Sequence, residues 1–251
     1  RLWRPLGIIF LLGTTLPWIW PGWSMGGATA LSWLIGWEPV PIAVGMLVLI
    51  GIILTFTGNS YLNLELAEKI LISVVILLLT IISILLVKME SIKELGTQLI
   101  SFSVAIPKDL DMPTLLAALA FCGAGGTLNL TTSHWIKEKG LGMAGHKQDK
   151  SGRGYNFEPS EKNILNWKAW WRVVRYEQFF SFFLVGMIGL VMLMLLSHSL
   201  VFGKDYPIGM GFLKAEGEEI GRQLSLWMRP VFYLLVALVF FSTALGVMDH
   251  I

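Results

Sequence analysis

Long stretches without charge dominate this sequence of 251 residues and restrict its fold more than any other feature. Charged residues make up only 14% of the chain, against about a quarter in a typical soluble domain, and they fall into a few short segments. A hydrocarbon core about 30 Å thick needs roughly 20 apolar residues per helix. The sequence therefore predicts an integral membrane protein whose partner is the lipid bilayer. It excludes a soluble enzyme, a disordered tail and, because no dense basic face is present, a nucleic-acid-binding protein.

Six segments approach the length of a membrane-spanning helix. The first is too long for one straight helix, and Pro17, Pro21 and Gly22 are expected to break or kink it. The chain does not begin with Met, and we expect it to be the middle of a longer polytopic protein. We predict an all-α bundle, one transmembrane domain over 1–251, with spans at about 5–37 (interrupted), 41–57, 68–87, 112–136 (broken at 122–127), 175–198 and 230–248.

The lysines and arginines between these spans predict the orientation. The connection 137–175 holds nine of them, 88–112 holds three, and the connection after His198 holds four. Since cytoplasmic loops are enriched in positive charge, 137–174 is expected to be a cytoplasmic loop, in the plasma (inner) membrane. Inside it, residues 166–172 alternate aromatic and basic side chains. This pattern fits equally a short helix in the headgroup region and an aromatic belt at the start of the fifth span.

The fourth predicted span carries the strongest sign of function. Gly123, Gly125 and Gly126 make a continued helix costly, by about 1 kcal/mol each relative to alanine. Polar residues follow at what is expected to be bilayer depth, among them Thr127 and Asn129. Transporters use such breaks, where freed carbonyl groups bind cations near the midplane. The alternative is that the glycines serve close helix packing.

The remaining ionisable residues suggest structural roles. Glu65, Glu68 and Glu177 lie at the ends of predicted spans, which is typical of helix caps and solvated faces. His198 ends the fifth span and is expected to be an interfacial residue. Cys122 is the only cysteine, so neither an internal disulfide nor a thiolate zinc site is expected. No His-Glu-x-x-His motif, serine-centred elbow or carboxylate pair occurs, so we expect no enzyme and no resident cofactor.

Three segments resemble the Nramp-type divalent-metal transporters. Residues 26–36, Gly-Gly-Ala-Thr-Ala-Leu-Ser-Trp-Leu-Ile-Gly, followed by a proline-containing turn, resemble the third and fourth helices of that family. Residues 61–71 resemble the start of its fifth helix. Residues 123–130 stand where the family has its broken sixth helix, with the pattern Ala-x-x-Met-Pro-His-Asn. The resemblance implies a LeuT-like inverted-repeat transporter fold, of which this chain covers helices three to eight. In it the third and eighth helices, which share Thr-Ala-Leu at 29–31 and 243–245, are repeat mates.

The same resemblance implies a metal site at Gly123, Gly126, Thr127 and Asn129. Gly123 stands where a backbone carbonyl serves as a ligand in the family, and Asn129 is retained. Gly126 replaces the thioether ligand and Leu128 replaces the histidine, and both are departures from the family pattern. The glycine-rich form, followed by residues 135–143, is similar to a divergent, Nramp-related branch. Oxygen ligands without a thioether suit a hard cation such as Mn²⁺ or Mg²⁺.

The expected function is therefore secondary transport of such a divalent cation by alternating access. Two alternatives stay open: a LeuT-fold symporter of an amino acid or other small organic solute, and a membrane scaffold that transports nothing.

Overall fold

The computed structural model describes residues 3–16, 21–56, 60–101, 160–206 and 209–250, together with 112–113, 115–116 and 136. These residues form helices and connecting turns without strands, so the predicted all-helical class is confirmed for the described part of the chain. The chain divides into two compact units. One comprises Arg1–Asp109 with Gly189–Ile251, and the other comprises Leu110–Ile188.

Within 3–16, 21–56, 60–101, 160–206 and 209–250, the structure gives bounds for nine α-helices and one π-helical segment. The π-helical segment, Gln178–Leu184, directly follows the sixth helix and directly precedes the seventh. The helices are α1 (Trp3–Thr15), α2 (Gly22–Ile35), α3 (Pro39–Phe56), α4 (Ser60–Leu86), α5 (Met89–Ser101), α6 (Glu161–Glu177), α7 (Val185–Leu200), α8 (Met210–Gln223) and α9 (Met228–His250).

Among the described residues, four helical stretches are long and apolar enough to cross a membrane. They are Pro39–Phe56, Glu65–Leu86, Glu161–Leu200 and Met228–Asp249. The architecture is therefore that of a helical membrane bundle. All four stretches overlap predicted spans, namely 41–57, 68–87, 175–198 and 230–248, because an apolar run of this length has few alternatives to a buried or lipid-facing helix. The predicted broken span 112–136 lies almost wholly outside the described residues.

The first predicted span, 5–37, contains two separate helices. The first is α1, and α2 begins at Gly22 directly after Pro21. Proline fits at a helix start but not in a helix interior, since it has no N–H to donate. The helix ends at Gly36, whose φ of 72° is the left-handed conformation that favours glycine, and the Gly36 N–H donates to the Ser32 carbonyl.

Helix α6 starts well before the predicted fifth span, 175–198. It begins at Glu161, inside the segment predicted as a loop, and Ser160 caps it by accepting a hydrogen bond from the Asn163 N–H. The segments α6, Gln178–Leu184 and α7 follow one another without a gap. Residues 166–172 therefore belong to a long helix that continues into an apolar stretch, and they do not form a separate short helix.

The core of the first unit forms around α9, which packs on α2. Gly26 of α2 lies against the Phe240 ring, and Trp33, near the other end of α2, contacts the Tyr233 ring edge-on at 4.9 Å. The residue numbers run in opposite directions along the two helices, so α2 and α9 are antiparallel. Glycine allows this close approach because any side chain at position 26 meets the Phe240 ring.

Helices α4, α7 and α8 contribute to the same core. Leu79 and Ile82 of α4 pack in one buried cluster with Leu196 of α7, Ile220 of α8 and Phe232 of α9. The cluster joins the end of α4, the end of α7 and the start of α9. The short charged helices α5 and α8 therefore lie beside the ends of apolar helices.

Candidate functional site

The metal site predicted from the sequence lies outside the described residues. Gly123, Gly126, Thr127 and Asn129 all belong to the segment 117–135, of which the structure describes nothing. Within the described ranges, no group of three or more histidine, cysteine, aspartate or glutamate residues could hold a metal ion. The proposed ligands at 123–129 therefore stay a prediction.

A glutamate inside a candidate membrane span has an incompletely satisfied carboxyl group. Glu68 lies on α4, one turn inside the span Glu65–Leu86, and interacts with the Ser242 hydroxyl of α9. Its Oε1 atom is buried and has no hydrogen-bond partner among the described residues. Nearby, Glu65 forms an ion pair with Lys69 at 2.7 Å along the same helix. A carboxylate buried in a membrane helix is costly and marks ion or proton pathways more often than surface carboxylates do.

Helix α8 carries a second buried acid, outside the candidate spans. Glu216 is only 1% exposed, and its Oε1 accepts a hydrogen bond of 2.8 Å from the Ser197 hydroxyl of α7. Burial raises the pKa of this carboxyl to about 7, although the Ser197 hydrogen bond works in the opposite direction. The Glu216 carboxyl therefore gains or loses its proton near neutral pH.

Its neighbour Glu219, one turn further along α8, is held in the charged form. Burial alone raises its pKa, but hydrogen bonds from Lys204 and Arg222 outweigh burial and the net pKa is lowered. The Lys204 Nζ donates to Glu219 Oε1 at 3.0 Å and to the Leu200 carbonyl at 2.9 Å, and the Tyr206 hydroxyl donates to the same carboxyl. The hydrogen bond to Glu219 in turn raises the pKa of Lys204. This network ties the turn after α7 to α8.

A polar cavity of about 300 Å³ opens where α5 meets the end of α7. His198 Nδ1 is 3.0 Å from the Ser91 hydroxyl, and Ser199 donates to the same Ser91 oxygen at 3.0 Å. The second ring nitrogen of His198 lies 3.6 Å from Glu94 Oε2. Groups of both charge signs line the cavity, among them Lys88, Glu94, Lys204 and Arg222.

These features differ in how visible they are in the sequence. Glu68 is interpreted there as a residue of a span end, yet it faces α9 and has a buried oxygen without a described partner. His198 does lie at the end of an apolar helix, but the sequence gives no indication of its hydrogen bond to Ser91. Glu216 and Glu219 belong to a charged segment that predicts solvent exposure. Only their distant partners make their burial possible.

Taken together, the fold and these groups define a helical membrane protein with acidic residues buried at and beside its spans. Comparison with known proteins found no matching family model, no matching curated protein and no matching solved structure.

Proposed function

We propose that the protein is a secondary transporter, related to the Nramp type, that moves a hard divalent cation such as Mn²⁺ or Mg²⁺ by alternating access. The observation that carries the proposal is the Glu68 carboxyl, which lies inside a candidate span with one oxygen buried and unpaired among the described residues. A membrane protein gains nothing in stability from such a group, so a role in moving ions is the better explanation. Carboxylate and hydroxyl oxygens, as in Glu68 and Ser242, are also the ligand types that hard cations prefer.

The packing of α2 and α9 supports the same proposal. The resemblance makes these helices the third and eighth of an inverted repeat, and repeat mates of inverted topology run antiparallel to each other. The antiparallel contact of Gly26 with Phe240 and of Trp33 with Tyr233 fits this relation. Under this proposal, Gly123, Gly126, Thr127 and Asn129 hold the cation at the broken helix, and Glu68 lies on a route for ions within its own unit.

Cation flux into proteoliposomes tests the proposal. Glu68→Gln keeps the shape of the side chain but removes its charge, and we expect Mn²⁺ or Mg²⁺ uptake by the full-length protein to fall at least about tenfold. Asn129→Ala, at the predicted site, is expected to abolish uptake. Glu38→Gln is the matched control, because Glu38 is exposed between α2 and α3 and the same charge is lost there.

Each outcome has a defined meaning, provided that the variants elute as monodisperse protein. Wild-type flux in Glu68→Gln removes Glu68 from the route, and wild-type flux in Asn129→Ala removes Asn129 from the site. Absence of divalent-cation flux in the wild type itself contradicts the proposal.

A second candidate function has one observation in its favour. The cavity beside His198 presents cations and carboxylates together, which suits a zwitterionic organic solute such as an amino acid. Counterflow of radiolabelled amino acids against that of Mn²⁺ separates the two functions. Exchange of an amino acid without exchange of the metal favours the second.

A further inference from the structure

Three cationic side chains form a row on one face of α6. Lys168, Arg172 and Arg175 are spaced i, i+4 and i+7, which brings them within an arc of about 60° around the helix. All three are exposed, and none forms an ion pair with a carboxylate in the described part of the chain. Like charges at this spacing repel one another and destabilise a helix. Anions from outside the helix therefore relieve this repulsion and stabilise the row.

The row lies at the boundary of an apolar stretch. No Lys, Arg, Asp or Glu occurs from Gln178 to Ser197, a run of 20 residues that is long enough to cross the hydrocarbon core. At 1.5 Å per residue, Arg175 lies about 4.5 Å before this run, Arg172 about 9 Å and Lys168 about 15 Å. The two arginines therefore reach the depth of the lipid headgroups. Lys168 lies further out, at about one Debye length from the headgroups, so its charge still attracts anionic lipid.

Two tryptophans flank the row. Trp167 and Trp171 precede Lys168 and Arg172 by one residue each, and their rings stack in parallel with centroids 5.7 Å apart. Each is 44% exposed, so neither is buried in the protein. Exposed tryptophan beside an apolar span is typical of the membrane interface, where the ring is at headgroup level.

We infer that Lys168, Arg172 and Arg175, flanked by Trp167 and Trp171, form a binding site for anionic phospholipid headgroups. The charges of the row match the phosphate of the headgroup, Trp171 lies about 10.5 Å before the apolar run and so close to the headgroups, and the apolar run supplies the surrounding lipid. This site does not depend on which solute crosses the membrane. An experiment can therefore contradict the lipid-binding site without contradicting the proposed transport function, and the reverse also holds.

The test compares lipid binding to purified full-length protein by native mass spectrometry. Short-chain phosphatidylglycerol and phosphatidylcholine are titrated against wild type, against K168Q/R172Q/R175Q, and against the control K93Q/K162Q/K214Q. The control removes three exposed positive charges outside the row. We expect wild type and control to bind phosphatidylglycerol at least about tenfold more tightly than phosphatidylcholine. The variant of the row should lose that preference to within about threefold.

Other results overturn the inference. If K168Q/R172Q/R175Q keeps the preference for phosphatidylglycerol over phosphatidylcholine, the site is excluded. If this variant and the control lose that preference equally, the total charge of the protein explains lipid binding and the row does not. Displacement of phosphatidylglycerol by an equal concentration of soluble glycerol phosphate makes the ligand a free phosphate compound instead of a lipid. If the triple variant does not fold, Arg172→Gln and Arg172→Lys replace it. Arg172→Gln should then weaken phosphatidylglycerol binding about fivefold and Arg172→Lys should retain it, and equal binding by both contradicts the site.

Discussion

At the scale of single residues, the Glu216 carboxyl couples stability to pH. Its pKa is raised by burial from the ordinary 4.5 to about 7, so between these values the folded protein keeps a proton that the unfolded chain has lost. The unfolding free energy therefore falls as pH rises from about 4.5 to 7 and stays low above that. Glu216→Gln, which still accepts the Ser197 hydrogen bond, should remove this decrease of about 3 kcal/mol. Denaturant unfolding in detergent between pH 4 and 8 measures it.

Glu218→Gln is the control for that series. Glu218 is exposed on the same helix, two residues from Glu216, and loses the same formal charge when substituted. Its pH profile should follow that of the wild type. If Glu216→Gln retains the full decrease in stability between pH 4.5 and 7, the carboxyl does not hold a proton in the folded protein.

At the scale of helices, the contact between α2 and α9 depends on the absence of a side chain at position 26. A Cβ atom there comes within 2.7 to 2.9 Å of three atoms of the Phe240 ring, so Gly26→Ala must separate the helices or displace the ring. We expect Gly26→Ala to lower the unfolding free energy by about 1–3 kcal/mol. Gly45→Ala on α3 adds the same methyl group in open space and should leave stability unchanged or slightly higher. Thermal unfolding in detergent compares the midpoints of Gly26→Ala and Gly45→Ala. Equal midpoints would contradict the close packing of α2 on α9.

The helices also indicate how far the sequence alone can lead. Apolar runs of about 20 residues predict α3, α4 and α9 because a chain in lipid must satisfy its backbone hydrogen bonds within each segment. The same reasoning does not find α8, since its glutamates and Arg222 predict a solvated connection. Helix α8 is stabilised by residues far away in sequence, such as Ser197 and Lys204, and single-sequence patterns do not contain such pairings.

The candidate site shows the same division. The prediction of Asn129 depends on the composition of the fourth predicted span and on the resemblance to the Nramp type, and neither requires knowledge of how the helices pair. The importance of Glu68 depends on a neighbour on another helix, Ser242, which is 174 positions further along the chain. Residues of this kind become visible only when the helix pairs are known. Sequence patterns therefore predict apolar spans more readily than charges whose partners lie on another helix.

At the scale of the whole molecule, lipid must cover much of the surface. Leu77, in the middle of the span Glu65–Leu86, is 60% exposed in the protein, and Ile100 on α5, outside the candidate spans, is 82% exposed. The protein itself shields neither side chain from water, so only a membrane makes the two positions differ in their access to a water-soluble reagent. In proteoliposomes of a variant with Cys122→Ser, a cysteine at position 77 should react with a membrane-impermeant maleimide at least about tenfold more slowly than one at position 100. Liposomes opened by freeze–thaw give the reagent access to both faces, and denaturation in SDS should equalise the two rates. If position 77 reacts as fast as position 100 in the intact bilayer, water reaches this face of α4 and lipid does not cover it.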